Sequence, residues 1–253
     1  MNERRHPMTY KIHPIFLGSL EISESAIFYR GKGSEKMRMS MGAFVLESED
    51  GEYIIVDTGG PSRSEIIEKG YPFEQTDEDI SFEEEIKKVG VKPDAVKLVI
   101  LTHLHWDHAW NNHLFPNAEI VVRADEIITA IHPHKTSIKS YGWIDQEPVP
   151  RWINQIGQLR PVQDEIYIRP GIFLMHTPGH TEGSFSPVID TKEGKVALVN
   201  DMAMNMRNLT EMIPNGSVDA AAAWYRSMDK LLATGAEMIP THDPSLYDRK
   251  VIG

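Results

Sequence analysis

The sequence predicts a mixed α/β (α+β) fold, two sheets covered by helices with one site on an edge that the sheets share. Three observations predict it. Short apolar runs such as Tyr53-Ile54-Ile55-Val56 and Val99-Ile100-Leu101 read as buried strands. Helical spacing separates them, at Phe82, Ile86 and Val89 and again from Val218 to Thr234. The strand ends repeatedly deliver polar residues, at Asp57, His103, His180, Asp201 and His242.

In order, Tyr10 to Leu17 and Met39 to Leu46 read as strands, the second followed by a Glu49-Asp50-Gly51 turn. Tyr53 to Val56 is a third, ending at Asp57-Thr58-Gly59-Gly60. Residues 61–79 mix acids with Gly70 and Pro72 and read as a surface excursion. Ser81-Phe82-Glu83-Glu84 has the form of a capping box, opening a helix that ends at Gly90. Val99 to Leu101 is the next strand, and Ala109 to His113 begins a short helix. A strand at Glu119 to Arg123 and a helix at Asp125 to Ile131 follow, stopped by Pro133.

From there to about Pro161 the chain is aromatic-rich without clear periodicity, so residues 132–161 are expected to form an insert covering a site. Ile172 to His176 is a strand, and Phe185 to Ile189 pairs with Val196 to Val199 around Lys192-Glu193-Gly194. The helix from Val218 closes at Gly235, and Glu237 to Ile239 is the last strand.

Length and composition bound the partners. A chain of 253 residues can bury a sizeable core and is read as a single domain over residues 1–253. A formal net charge of −11 argues against a nucleic-acid surface, which needs clustered Lys and Arg. No apolar run approaches a membrane span, and Met1 to Pro7 leads into no apolar signal segment. The expected partner is therefore a small-molecule substrate, with no nucleic acid and no membrane, in the cytoplasmic compartment. The sequence leaves the oligomeric state open, a homodimer included. The absence of cysteine excludes disulfides, thiolate ligands and cysteine nucleophiles.

The chemistry concentrates in Thr102-His103-Leu104-His105-Trp106-Asp107-His108, where an apolar strand breaks into three histidines and an aspartate. Imidazole nitrogen and carboxylate oxygen suit Zn²⁺ and similar divalent metals. Taken with the later strand ends, His103, His105 and His180 can make one metal position. Asp107, His108 and His242 can make a second, and Asp201 can bridge the two. Two metals about 3.5–4 Å apart can hold a hydroxide between them and polarise the group it attacks. Asp57 either caps the turn that follows it or accepts the second N–H of a ligating histidine. His6, His13, His132, His134 and His176 lack such neighbours and read as surface or packing residues.

The His103-x-His105-x-Asp107-His108 run, Pro178-Gly179-His180-Thr181, Asp201 after a strand and Thr241-His242-Asp243 resemble the metallo-β-lactamase superfamily, in that family's order. The resemblance covers nearly the whole chain, and Val56-Asp57-Thr58-Gly59 matches the family's strand-end aspartate. It implies an αββα sandwich with a dinuclear site, two Zn²⁺ or other divalent ions, at one edge, and it favours a ligand-supporting role for Asp57. Within the superfamily the chain is most similar to the N-acyl homoserine lactonases, on length and on segments such as Val89-Gly90-Val91-Lys92-Pro93-Asp94 and Phe115-Pro116-Asn117-Ala118. One departure stands out: where those lactonases carry a tyrosine three residues after the bridging aspartate, this chain has Met204, which donates no hydrogen bond. Tyr141, His113 and Tyr225 are the candidates to supply a donor to the substrate.

The expected reaction is opening of a lactone or related cyclic ester by a metal-bridging hydroxide, with Asp107 both ligand and proton acceptor. Competing readings are a thioester or other carbonyl hydrolase of the same superfamily, glyoxalase II-like, and a non-hydrolytic di-metal redox or sensor protein. The first lacks a clear basic cluster for glutathione carboxylates. A complete His and Asp set argues against the di-iron form of the second.

Overall fold

The computed structural model describes residues 8–253. His6 and the segment from Met1 to Pro7 lie outside them. The described residues form two sheets. The first has six strands in the order β1 (Tyr10–Ser23), β2 (Lys36–Ser48), β3 (Tyr53–Val56), β4 (Leu98–Ile100), β5 (Glu119–Arg123) and β6 (Leu159–Val162). The second has five: β7 (Ile166–Arg169), β8 (Ile172–His176), β9 (Phe185–Thr191), β10 (Gly194–Leu198) and β11 (Glu237–Ile239), with β11 and β7 at its edges. Helices α1 (Glu24–Ile27), α2 (Arg63–Lys69), α3 (Phe82–Val89), α4 (Trp106–Ala109) and α5 (Ala124–Ile131) accompany the first sheet in sequence, and α6 (Met206–Thr210) and α7 (Ala221–Ala233) the second.

Alternation of side chains along the strands assembles three cores from one set of apolar runs. Ile54, Val56, Leu98, Ile100 and Val121 point inward and meet Ile172, Leu174, Phe185, Val196 and Leu198 of the second sheet. The intervening Ile55, Val99, Ile120 and Val122 point outward, against Phe82 and Ile86 of α3. On the far side, Val188, Ala197 and Val199 pack against Trp224, Met228 and Leu231 of α7. The result is the αββα sandwich expected from the resemblance. No helix among the described residues is long and apolar enough to cross a membrane.

The elements differ from the sequence reading in instructive places. β1 and β2 run longer than expected, because the pairing passes Gly18 with a register shift between Phe16 and Ser19. Gly18 holds φ 107°, so it bends the strand instead of ending it. The surface excursion contains α2, whose N-terminus is capped by the Ser62 side chain accepting from Glu65 N–H. Ser81, by contrast, makes no side-chain cap bond, so the expected capping box is absent. The short helix expected from Ala109 lies three residues earlier, as α4, followed by a 3₁₀ turn over Asn112–Leu114.

Residues 132–161 are less irregular than they read. They include a 3₁₀ segment at Arg151–Gln158, and β6 begins at Leu159. Tyr141 and Trp152 are buried in the outward core of the first sheet. β7, a four-residue edge strand, had no separate signal.

Strands β3, β4, β5 and β6 are parallel, as are β10 and β11. Their carboxyl ends therefore collect on one edge, where open α/β sheets bind ligands. Trp224 braces that edge from below: it is fully buried and its indole N–H donates to the Met202 carbonyl. A side chain at Gly179 would come within 2.9 Å of the Trp224 Cα. Trp224→Ala is expected to cost about 3–5 kcal/mol of stability, read as a lower urea midpoint at unchanged slope.

Candidate metal centre

Local geometry explains why the motif residues converge. β4 ends at Ile100, and His103 and His105 sit on the extended loop that follows. The chain then turns into α4, so Asp107 and His108 lie in a helical turn whose N–H groups fold back on the His105 carbonyl. Trp106 stacks on Phe73 with centroids 4.2 Å apart. Gly60 permits this approach, since a Cβ there would lie 2.8 Å from the indole ring.

Three groups of candidate ligand atoms form, each with its atoms within 4.8 Å of one another: His103, His105 and His180; His103, His108 and Asp201; Asp107, His108 and His242. Asp201 sits centrally. Its Oδ1 lies 2.9 Å from His242 Nε2 and 3.2 Å from His108 Nε2, and its Oδ2 lies 3.3 Å from His180 Nε2. Asp107 Oδ2 is 3.6 Å from His108 Nε2 and 3.9 Å from His242 Nε2.

The residues present fit a cation. Nε2 of His103 is buried with no hydrogen-bond partner among the described residues. His105 Nδ1 and His180 Nε2 face each other at 3.0 Å. His242 donates from Nδ1 to the Ser40 carbonyl, which leaves its Nε2 lone pair facing the Asp201 carboxylate. Lone pairs in such contact repel unless a proton or a cation lies between them.

Asp57 is the hub behind the cluster. It holds φ 60°, in the left-handed region that ordinary residues avoid, at the end of β3. Its carboxylate accepts from Thr102 N–H and the Thr102 hydroxyl, each at 2.8 Å, and from His108 Nδ1 at 2.8 Å. The carboxylate only accepts, so the proton sits on His108 Nδ1 and Nε2 is freed toward Asp201. Asn200 also donates to Asp57, and to the Thr102 hydroxyl at 2.8 Å, while accepting from the Thr241 hydroxyl at 2.7 Å. Asn200 thus ties the strand ends of the first sheet to those of the second.

Charge separates the histidines. Burial holds His103, His105 and His180 below the usual imidazole value, which favours the neutral form a metal requires. Burial also pushes His108 down, but Asp107, Asp201 and Asp57 outweigh it and hold the ring well above that value. His242 is likewise raised by Asp201 against the effect of burial. Asp201 is pushed up by burial, yet His242, His108 and His180 hold it well below the ordinary carboxylate range.

The remaining candidates are placed differently. Tyr141 lies against His105, ring centroids 4.6 Å apart, with its hydroxyl buried and lacking a partner among the described residues. His113 lines a separate surface cavity with Glu147, Arg151, Asn154 and Gln155. Tyr225 is exposed beside Trp224. Met204 is buried in the core that also holds Met39 and Met41. His13 pairs with Glu47, and His176 contacts the Glu182 carbonyl; His132 and His134 are exposed.

Sequence reasoning missed three polar residues here: Asn200, Asn215 and Glu126. Asn215 is buried, donates to the Asp201 carbonyl and lies 3.2 Å from His180 Nδ1. Of these, Glu126 carried a readable signal, a charged residue at a core-facing position of α5.

The model of the metallo-beta-lactamase superfamily matches residues 43–242, and the chain belongs to that family. Within it, the chain is similar to the N-acyl homoserine lactonases. It is 27% identical to one from a Bacillus species over 222 residues, 84% of each chain. It is 29% identical to the lactonase AttM of Azorhizobium caulinodans over 169 residues, 64% of each. Solved structures agree on the fold. A Bacillus thuringiensis AiiA variant with N-decanoyl-L-homoserine at its active site superposes with TM-score 0.77 at 24% identity, covering 95% of this chain and 96% of that one. AidC, a dizinc quorum-quenching lactonase, gives 0.71 at 17% identity, covering 98% and 91%.

Proposed function

We propose that this protein is a zinc-dependent hydrolase that opens a lactone or related cyclic ester. The observation that carries the reading is the convergence of neutral and charge-paired imidazoles on Asp201, with buried ring nitrogens that lack protein partners. The names of the relatives support the lactone as substrate class. His103, His105 and His180 would hold one ion, Asp107, His108 and His242 a second, with Asp201 shared. Zinc bound there supplies an acidified water and Lewis acidity at a carbonyl.

The chain's own groups do the rest. The Asp107 side chain is 13% exposed against 4% for Asp201, so Asp107 faces the mouth of the site. There it accepts a proton from the attacking water and can return it to the leaving alkoxide. Asp57 and the Ser40 carbonyl hold the tautomers of His108 and His242. Met204 is buried in the core with Met39 and Met41 and carries no proton to donate, so orientation of the leaving oxygen falls to other groups.

The test is a pH-stat assay of the zinc-loaded protein against lactones, thioesters and β-lactams. Proton release from lactones, stopped by a chelator and restored by zinc, is the expected result. Turnover of thioesters or β-lactams with silence on every lactone would refute the substrate class.

A further inference from the structure

Glu126 lies on α5, outside the motifs, and is completely buried. Its two carboxylate oxygens serve two different loops. Oε1 accepts from the N–H of Leu104, the residue between His103 and His105, at 3.0 Å. Oε2 accepts from the hydroxyl of Thr181, the residue after His180, at 2.7 Å. The first loop follows β4 of one sheet and the second follows β8 of the other. Thr181 is oriented in turn, since its N–H donates to Ser184 Oγ at 3.2 Å and the two hydroxyls lie 2.6 Å apart. With Thr181 donating to Glu126, the Ser184 hydroxyl donates to Thr181. α5 is pressed onto this loop, for a Cβ at Gly183 would lie 2.3 Å from the Glu126 backbone nitrogen.

We infer that Glu126 is a positioning residue that sets the separation of the His103/His105 loop from the His180 loop, one carboxylate oxygen for each. The inference rests on the metal-centre reading above. A carboxylate suits the task because it only accepts and can serve both donors at once. Burying it uncompensated would be costly, and its bonds are spent on the loops that carry the three-histidine position. Tyr141 backs the same position, its ring lying against His105 with centroids 4.6 Å apart. The second position, Asp107, His108 and His242, hangs on Asp57 and Ser40 instead.

The test is competitive zinc titration of the full chain, comparing wild type, Glu126→Ala, Thr181→Val and the double variant. Thr181→Val keeps the side-chain volume and cuts the His180 link alone, so it serves if Glu126→Ala does not fold. Each single variant is expected to weaken one of the two zinc-binding steps by about 10- to 100-fold, the range for groups that orient ligands, and to leave the other unchanged. The double variant is expected to be no weaker than Glu126→Ala, because loss of Glu126 already removes the link that Thr181 makes to it. Wild-type affinity in Thr181→Val would overturn the inference. So would equal weakening of both steps accompanied by a fall in the melting temperature of the metal-free protein. A wild type that takes up no zinc would refute the metal-centre reading itself, and the inference with it.

Discussion

Replacing Asp57 with asparagine is expected to weaken zinc binding by about 10- to 100-fold and to cost about 1–3 kcal/mol of metal-free stability. The carboxylate serves Thr102 twice, His108 and Asn200, all in a buried setting. An amide of the same shape must turn its NH₂ toward at least one of these donors. If it faces His108 Nδ1, that ring loses the acceptor that fixes its tautomer, and Nε2 no longer presents a lone pair to the site. The backbone contributes as well, since Asp57 holds φ 60° and its side-chain bonds stabilise that conformation. Asparagine tolerates positive φ, so the expected loss comes from the hydrogen bonds and not from the backbone. Zinc titration and urea unfolding of the metal-free variant check both parts. Wild-type affinity in Asp57→Asn would show that His108 is oriented by something else.

The second large effect is expected at His105→Ala. His105 Nδ1 faces His180 Nε2, and the ring is held by Tyr141 on its other side. Its removal leaves two histidines where three converged, and the variant is expected to lose one zinc step. Lactone turnover should fall by about 10²–10³-fold or more, the scale of losing one electrostatic stabiliser of a developing oxyanion. His13→Ala provides the control, since His13 pairs with Glu47 away from the cluster and should leave turnover unchanged. A His105→Ala protein with full turnover would place the chemistry elsewhere.

Much of this was legible before the fold. The histidine run, the later strand ends and Asp57 were found by residue type and position, because a strand that stops abruptly at a polar residue leaves a trace in the apolar pattern. What was not legible depends on three-dimensional convergence. Nothing local in the sequence ties Glu126 to Thr181, 55 residues on. Asn200 reads as a turn residue until the ends of both sheets close around it. The element boundaries slipped where one residue carries two meanings: Gly18 resembles a strand end and is a bend within β1, and Ser81 resembles a cap whose side chain makes no cap bond. Residues 132–161 lacked periodicity because Tyr141 and Trp152 reach the outward core from irregular backbone and a 3₁₀ segment and not from one regular element.

The most direct test of the central reading is zinc titration of the metal-free protein, with the bound metal counted by elemental analysis. Two colourless zinc equivalents per chain are expected, one for His103, His105 and His180 and one for Asp107, His108 and His242. A protein that binds no zinc, or that holds iron with a near-ultraviolet band and consumes oxygen, would contradict a zinc-dependent hydrolase.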